Sequence, residues 1–235
     1  MLRKMSQTAM LSLMFTAPSF AGVYIGASVG PEGASFSQKS HVVGQNSHQP
    51  QGVFNVYATN HFSGIGVFGS LFGGYAWSSQ RYYLAGEING NLSSVKYKLT
   101  NDELIHQNFA KTTFTIKSSE GVSLLPGFFF SDNTLFYARV GYANGHVKLA
   151  EGADPSIQSM TKNLSGCRYG VGVRHSLTAQ WSLMMDYSQI NYGHLTSHTF
   201  DPIGGVTKDT KITPSTAQLA LGAIYSFDRP AVYTK

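Results

Sequence analysis

The sequence predicts an all-β fold: an eight-stranded antiparallel transmembrane β-barrel, with long loops on one side of a membrane and short turns on the other. Three observations lead there. The last strand, Gln218-Leu-Ala-Leu-Gly-Ala-Ile-Tyr-Ser-Phe227, sets Leu219, Leu221, Ala223, Tyr225 and Phe227 on one face and Gln218, Ala220, Gly222, Ile224 and Ser226 on the other. An apolar face ending in aromatic rings suits a strand that meets lipid and whose rim lies at headgroup depth. Composition is the second observation: 12% of residues are charged and 25 are glycine, against about 25% charged in soluble domains. No apolar run is long enough for a membrane helix. Third, short polar turns at Ser78-Ser-Gln-Arg81, Ser131-Asp-Asn-Thr134 and Leu177-Thr-Ala-Gln180 are separated by roughly 50 residues, the length of two strands and a long loop.

Taken in order, residues 1–21 read as a secretory signal. Arg3 and Lys4 open it, residues 9–17 are apolar, Pro18 breaks the run, and Ser19-Phe-Ala21 supplies small residues at the cleavage positions. The barrel is expected over residues 22–227, followed by a short tail at 228–235. The first strand, residues 23–30, directs Val23, Ile25, Ala27 and Val29 to one face. In the second, residues 64–77, Ile65, Val67, Leu71, Tyr75 and Trp77 face out, while Phe68 and Phe72 break a polar inward face. The third, residues 82–95, puts Tyr82, Leu84, Ile88 and Leu92 outward against Glu87, Asn89, Asn91 and Ser93.

The fourth strand, residues 113–130, is read with Phe114, Ile116, Val122, Leu124, Phe128 and Phe130 outward and Lys117, Ser119, Gly121 and Ser123 inward. Pro126 lacks a ladder donor and points to a bulge or bend. The fifth, residues 135–143, sets Phe136, Ala138, Val140 and Tyr142 against Tyr137, Arg139 and Gly141. The sixth, residues 168–176, sets Tyr169, Val171 and Val173 against Arg168 and Arg174. The seventh, residues 181–192, sets Trp181, Leu183, Met185 and Tyr187 against Ser182, Met184, Asp186 and Ser188. Residues 31–62, 96–111, 144–166 and 193–214, rich in Gly, Ser, Asn and His, are expected as the long loops.

Trp77, Tyr82, Phe130, Phe136, Trp181 and Phe227 all flank the short turns or the terminal end. That places an aromatic girdle at one membrane interface, where amphipathic rings are favoured. Glu87, Arg139, Arg174 and Asp186 point inward at similar heights above the turns. An eight-stranded lumen is only wide enough to be filled by side chains, so these charges are expected to neutralise one another.

The chain resembles the small OmpA-like outer-membrane β-barrels of the surface-antigen and opacity-protein group. The resemblance is carried by Tyr24-Ile-Gly-Ala-Ser-Val-Gly30, Tyr83-Leu-Ala-Gly-Glu87, Ser123-Leu-Leu-Pro-Gly127 and Thr134-Leu-Phe-Tyr-Ala-Arg-Val-Gly-Tyr142. Gly222, Tyr225 and Phe227 resemble the carboxy-terminal assembly signal of such proteins, which implies the barrel-assembly machinery as a partner. The resemblance implies the bacterial outer membrane as location and turns on the periplasmic side. It implies envelope anchoring and display of loops to host surfaces or phage, with a small passive pore as the alternative.

Outside the barrel, Lys96, Lys98, Lys111, Lys148, Lys162, Arg168, Lys208 and Lys211 are expected near the extracellular side, where they can meet phosphates of lipopolysaccharide. The formal charge of +5, less Arg3 and Lys4, leaves no basic stripe for nucleic acid. Of the histidines, His41, His48, His61, His106, His146, His194 and His198 fall in or beside loops, and no metal or other cofactor is expected. A lipid A-modifying barrel enzyme is the third reading. Its site needs a base beside an activated hydroxyl, and His175 and Ser176 sit on opposite faces, so no catalysis is expected. His175 and the single cysteine, Cys167, are read as outward-facing at the two interfaces.

Overall fold

A computed structural model describes residues 19–45, 53–100, 111–151, 159–201 and 206–227. The leader up to residue 18, the tail from 228, His48 and His106 lie outside them. The described chain is entirely β: β1 Ser19–Gln45, β2 Val53–Ser79, β3 Tyr82–Ser93, β4 Lys96–Thr100, β5 Lys111–Ser131, β6 Thr134–Glu151, β7 Ser159–Ser176, β8 Trp181–Tyr192, β9 Leu195–Asp201 and β10 Val206–Ser226. Eight of these close into an antiparallel ring, β1-β2-β3-β5-β6-β7-β8-β10, with β10 pairing back onto β1. β4 and β9 are flanking pieces, paired with β5 and β10. Ser19, Phe20 and Ala21 already pair with Ser79, Ser78 and Trp77.

Following one row of paired residues round the ring fixes the barrel's dimensions. The row Trp181, Tyr225, Ile25, Gly73, Ile88, Val122, Tyr142, Cys167, Asn191 returns to β8 ten residues beyond its start. At about 3.3 Å per residue and about 4.8 Å between strands, that stagger sets a tilt near 40° and a Cα radius of about 8 Å.

The strands run much further than the sequence reading allowed. The expected loops at residues 31–62, 96–111, 144–166 and 193–214 are largely strand, extending past the ring as hairpins. There the ladder opens at two seams. Pairing of β2 with β3 ends at Phe68 opposite Ser93, where the Ser94 hydroxyl takes the Val67 N–H at 2.9 Å. Pairing of β7 with β8 ends at Gly166 opposite Tyr192. Above the seams the barrel becomes two sheets, β2-β1-β10-β9 and β4-β5-β6-β7.

These sheets pack face to face on a buried cluster that includes Phe36, Phe114, Ile116, Val147, Leu149, Leu164, Leu195 and Ile212. Phe36 and Phe114 meet edge to face at 4.4 Å. Polarity therefore inverts along single strands. Around the ring Ile65, Leu71, Ile88, Val171 and Leu221 stand exposed on the outside. Above it Lys39, Thr59, His61, Lys162, Thr196 and Lys211 are outside and most apolar residues are inside, with Val56, Tyr57 and Phe200 exposed.

Two readings of the fourth strand are corrected. Phe114 and Ile116 point inward, because the register slips between Ile116 and Ser118 and reverses the alternation there. Lys117, expected inward, is exposed. Pairing with β6 keeps one register from Val122 to Phe129, through Pro126; the second slip comes between Phe129 and Ser131, next to the turn. The other inward and outward faces read from the sequence stand, including Phe68 and Phe72 turned into the barrel.

Candidate functional site

The candidate site is the polar waist of the lumen, between two apolar clusters. Alternation on β3 turns Glu87 inward, and the same parity argument turns in Arg139 on β6, Arg174 on β7 and Asp186 on β8. All four are buried and meet. Glu87 accepts from Arg139 Nη1 at 2.7 Å and from Arg174 Nη2 at 2.8 Å. Asp186 accepts from Arg139 at 3.1 Å. Two carboxylates and two guanidiniums leave no net charge, the condition for holding ions in a low-dielectric interior.

Tyrosines complete the cluster; the sequence places Tyr137 on the inward face but does not mark any of them as part of the charge network. Tyr24 donates to Glu87 at 3.0 Å, Tyr137 donates to Asp186 at 2.7 Å, and the Tyr83 hydroxyl accepts from Arg174 Nη1 at 2.8 Å. The Arg174 guanidinium lies 4.7 Å from the Tyr24 ring centre, 4.9 Å from Tyr137 and 5.9 Å from Tyr83, a three-sided cation–π enclosure. Glycines make room for the rings: a Cβ at Gly172 would sit 2.4 Å from the Tyr137 ring, and one at Gly74 would sit 2.6 Å from the Tyr24 ring.

A second polar layer lies above the first. Gln218 donates to Glu32 at 2.9 Å and accepts from Arg168 Nη2 at 3.4 Å, while Arg168 also donates to Ser188 at 3.0 Å. Ser93 donates to the other oxygen of Glu32. This corrects the placement of Arg168, which is buried in the lumen and beyond reach of lipopolysaccharide; Lys208, above the ring on β10, also turns inward and is buried. Glu32 had been hidden in an expected loop, although Glu32, Ala34, Phe36 and Gln38 alternate there with small or polar residues. Between the two layers a cavity of about 10 Å³ remains, lined by Glu87, Arg139, Arg168 and Asp186 among others, room for one water at most. A larger hollow of about 130 Å³ lies at the turn end, against Tyr24, Tyr83 and Arg174.

The girdle residues Tyr82, Phe130, Phe136, Trp181 and Phe227 are exposed beside the turns, with Trp77 half-buried. Phe130 packs edge-on against Phe136, and Tyr225 bridges Trp181 and Phe227 at 5.2 and 5.3 Å. A second belt at the opposite border also went unread: Tyr142 and Tyr169 face out there, with hydroxyls bonded to Ser165 and Asn191. Of the assembly-signal residues, Gly222 packs against Ser28 of β1, and Phe227 donates its N–H to the Val23 carbonyl across the β1–β10 closure.

The remaining candidates stay apart. His175 faces out and bonds Thr134 at 3.0 Å. His198 bonds Asp209 and His146 bonds Asn163. Cys167 is exposed near the upper belt. Lys96, Lys162 and Lys211 are exposed and Lys148 is half-buried, while the side chains of Lys98 and Lys111 lie outside the description.

The family description "Outer membrane protein beta-barrel domain" matches residues 7–227. The chain belongs to that family. Its members are proteins of the bacterial outer membrane, and the apolar exterior of the ring fits that place. Among solved structures the chain is similar to OprG of Pseudomonas aeruginosa, at 11% identity and TM-score 0.49, over 88% of this chain and 96% of that one. It is similar to Neisserial surface protein A at 14% identity and TM-score 0.47, over 89% and 99%. Ail of Yersinia pestis, solved with the heparin analogue sucrose octasulfate, is similar at 15% identity and TM-score 0.40, over 88% and 99%. No curated protein matches the sequence.

Proposed function

We propose that this protein anchors in the outer membrane to display a rigid β body at the cell surface, as a surface antigen or adhesin-like protein, without catalysis. The inversion of polarity along single strands carries this reading. Below, the outside is apolar and matches hydrocarbon; above, the outside is mostly polar and encloses an apolar core of its own. The second body projects into water, where partners such as host surfaces or phage are met. The inward polar set supports the absence of catalysis, since among the described residues it holds no histidine to serve as a base.

In this reading exposed Lys96 and Lys162 meet lipopolysaccharide phosphates, and Gly222, Tyr225 and Phe227 serve as the signal for the assembly machinery. The signal peptide cleaved after Ala21 belongs to the same reading. A pore is the competing reading. The neutral network and the cavity of about 10 Å³ argue for a plug. In planar bilayers the folded protein is expected to give no unitary current steps. Steps that vanish or change in Glu87→Ala or Arg139→Ala would replace anchoring with conduction.

A further inference from the structure

Above the ring the two sheets leave four strand edges, on β2, β9, β4 and β7. Exposed edges invite pairing with another chain, and proteins blunt them with charge, brevity or irregularity. Three of the four are blunted. β4 has five residues and includes Lys96 and Lys98; β7 carries Lys162; β9 has seven residues, with His198 tied to Asp209.

The edge of β2 is different. Residues 55–61, Asn-Val-Tyr-Ala-Thr-Asn-His, contain no Asp, Glu, Lys, Arg, Pro or Gly. They pair with residues 37–43 of β1 on one side only. Among the described residues no strand pairs with their other side. Tyr57 is 74% exposed and Val56 45%. An uncharged run of this length with β-forming residues is the composition that adds strands most readily.

We propose that this edge is a self-recognition site, joining two copies of the protein by antiparallel strand addition between facing membranes. The occupant follows from charge and symmetry. A second β2 brings no like-charged pair in any register, because the segment bears no formal charge, whereas self-pairing at β4 or β7 sets lysine near lysine. Two copies in one membrane are related by an axis along the membrane normal. That operation leaves both β2 strands descending and crosses them at about twice the strand tilt, near 80°, which forbids a continuous ladder. An antiparallel pair of identical strands needs a two-fold axis perpendicular to the strand, which inverts the membrane direction. The matching copy therefore sits in an opposing membrane.

Reach is sufficient. Asn55 lies ten residues beyond Ile65, the outermost apolar residue of β2 in the lipid zone. At about 3.3 Å per residue and this tilt, that is about 25 Å above the hydrocarbon.

The proposal rests on the display reading, and the experiment separates the two. The full chain is folded into two populations of phospholipid vesicles carrying donor and acceptor dyes. Amine labelling of Lys39 and Lys211 from outside tests display; failure to label would remove display and self-pairing together. With the hairpins accessible, vesicle clustering is expected, reduced at least tenfold by Tyr57→Lys with Thr59→Lys. Thr161→Lys with Asn163→Lys on β7 should leave it unchanged. Folding of each variant is checked by circular dichroism and unheated gel mobility. In a Cys167→Ser background, single cysteines at Asn55, Tyr57 and Thr59 should cross-link between vesicles, with one position favoured. Accessible hairpins without clustering, or clustering indifferent to the β2 lysines, would overturn self-pairing and leave display standing.

Discussion

Arg139 joins the two carboxylates of the lumen, reaching Glu87 at 2.7 Å and Asp186 at 3.1 Å from a fully buried position. Its removal leaves Asp186 with the Tyr137 hydroxyl among the described side chains, while Glu87 keeps Arg174 and Tyr24. Leaving a buried charge unpaired is expensive, so Arg139→Ala is expected to lower stability by about 3–5 kcal/mol. Urea unfolding in lipid vesicles measures it. Lys96→Ala, at an exposed site, should fall within about 0.5 kcal/mol of the parent. The charged members of this cluster were legible because period-two alternation and a narrow lumen leave ions no alternative to pairing. The tyrosines were not legible, since Tyr24, Tyr83 and Tyr137 look from sequence like three more rings among many. Their role depends on Gly74 and Gly172 standing opposite, which is a matter of register.

β5 shows how a single extra residue sets the face of an element. The slip between Ile116 and Ser118 keeps Phe114 and Ile116 inside, where Phe114 meets Phe36. Deleting Lys117 alone removes the bulge and preserves that parity. Deleting Lys117 and Ser118 together turns both apolar residues to water. The single deletion is expected to leave the hairpins protease-resistant; the double deletion should expose them while the membrane ring survives. Limited proteolysis of the protein in vesicles separates the outcomes. Strand segments within lipid were read correctly because Ile65, Leu71, Val140 and Leu221 advertise an apolar exterior. In the sequence the upper segments resemble loops because a lipid-facing strand carries its apolar side outward, and there the sense is reversed. Ala34 and Phe36 inside against Ser35 and Ser37 was the available signal.

For the molecule as a whole, eight strands with a ten-residue stagger give a cylinder about 8 Å in Cα radius, packed through most of its length with side chains. Such a tube admits no polypeptide once its interior has set. If the hairpins beyond it, with Lys39, Lys162 and Lys211 on their surfaces, are displayed as proposed, they must arrive on the far side of the membrane. A schedule follows. The hairpins cross first, the β1–β10 seam closes afterwards, and the internal ion pairs lock last. Cross-links between Ile25 and Tyr225 sampled during assembly should therefore appear only after external protease can already reach residues beyond Ser63. Early closure with the hairpins still inside would contradict that sequence of events.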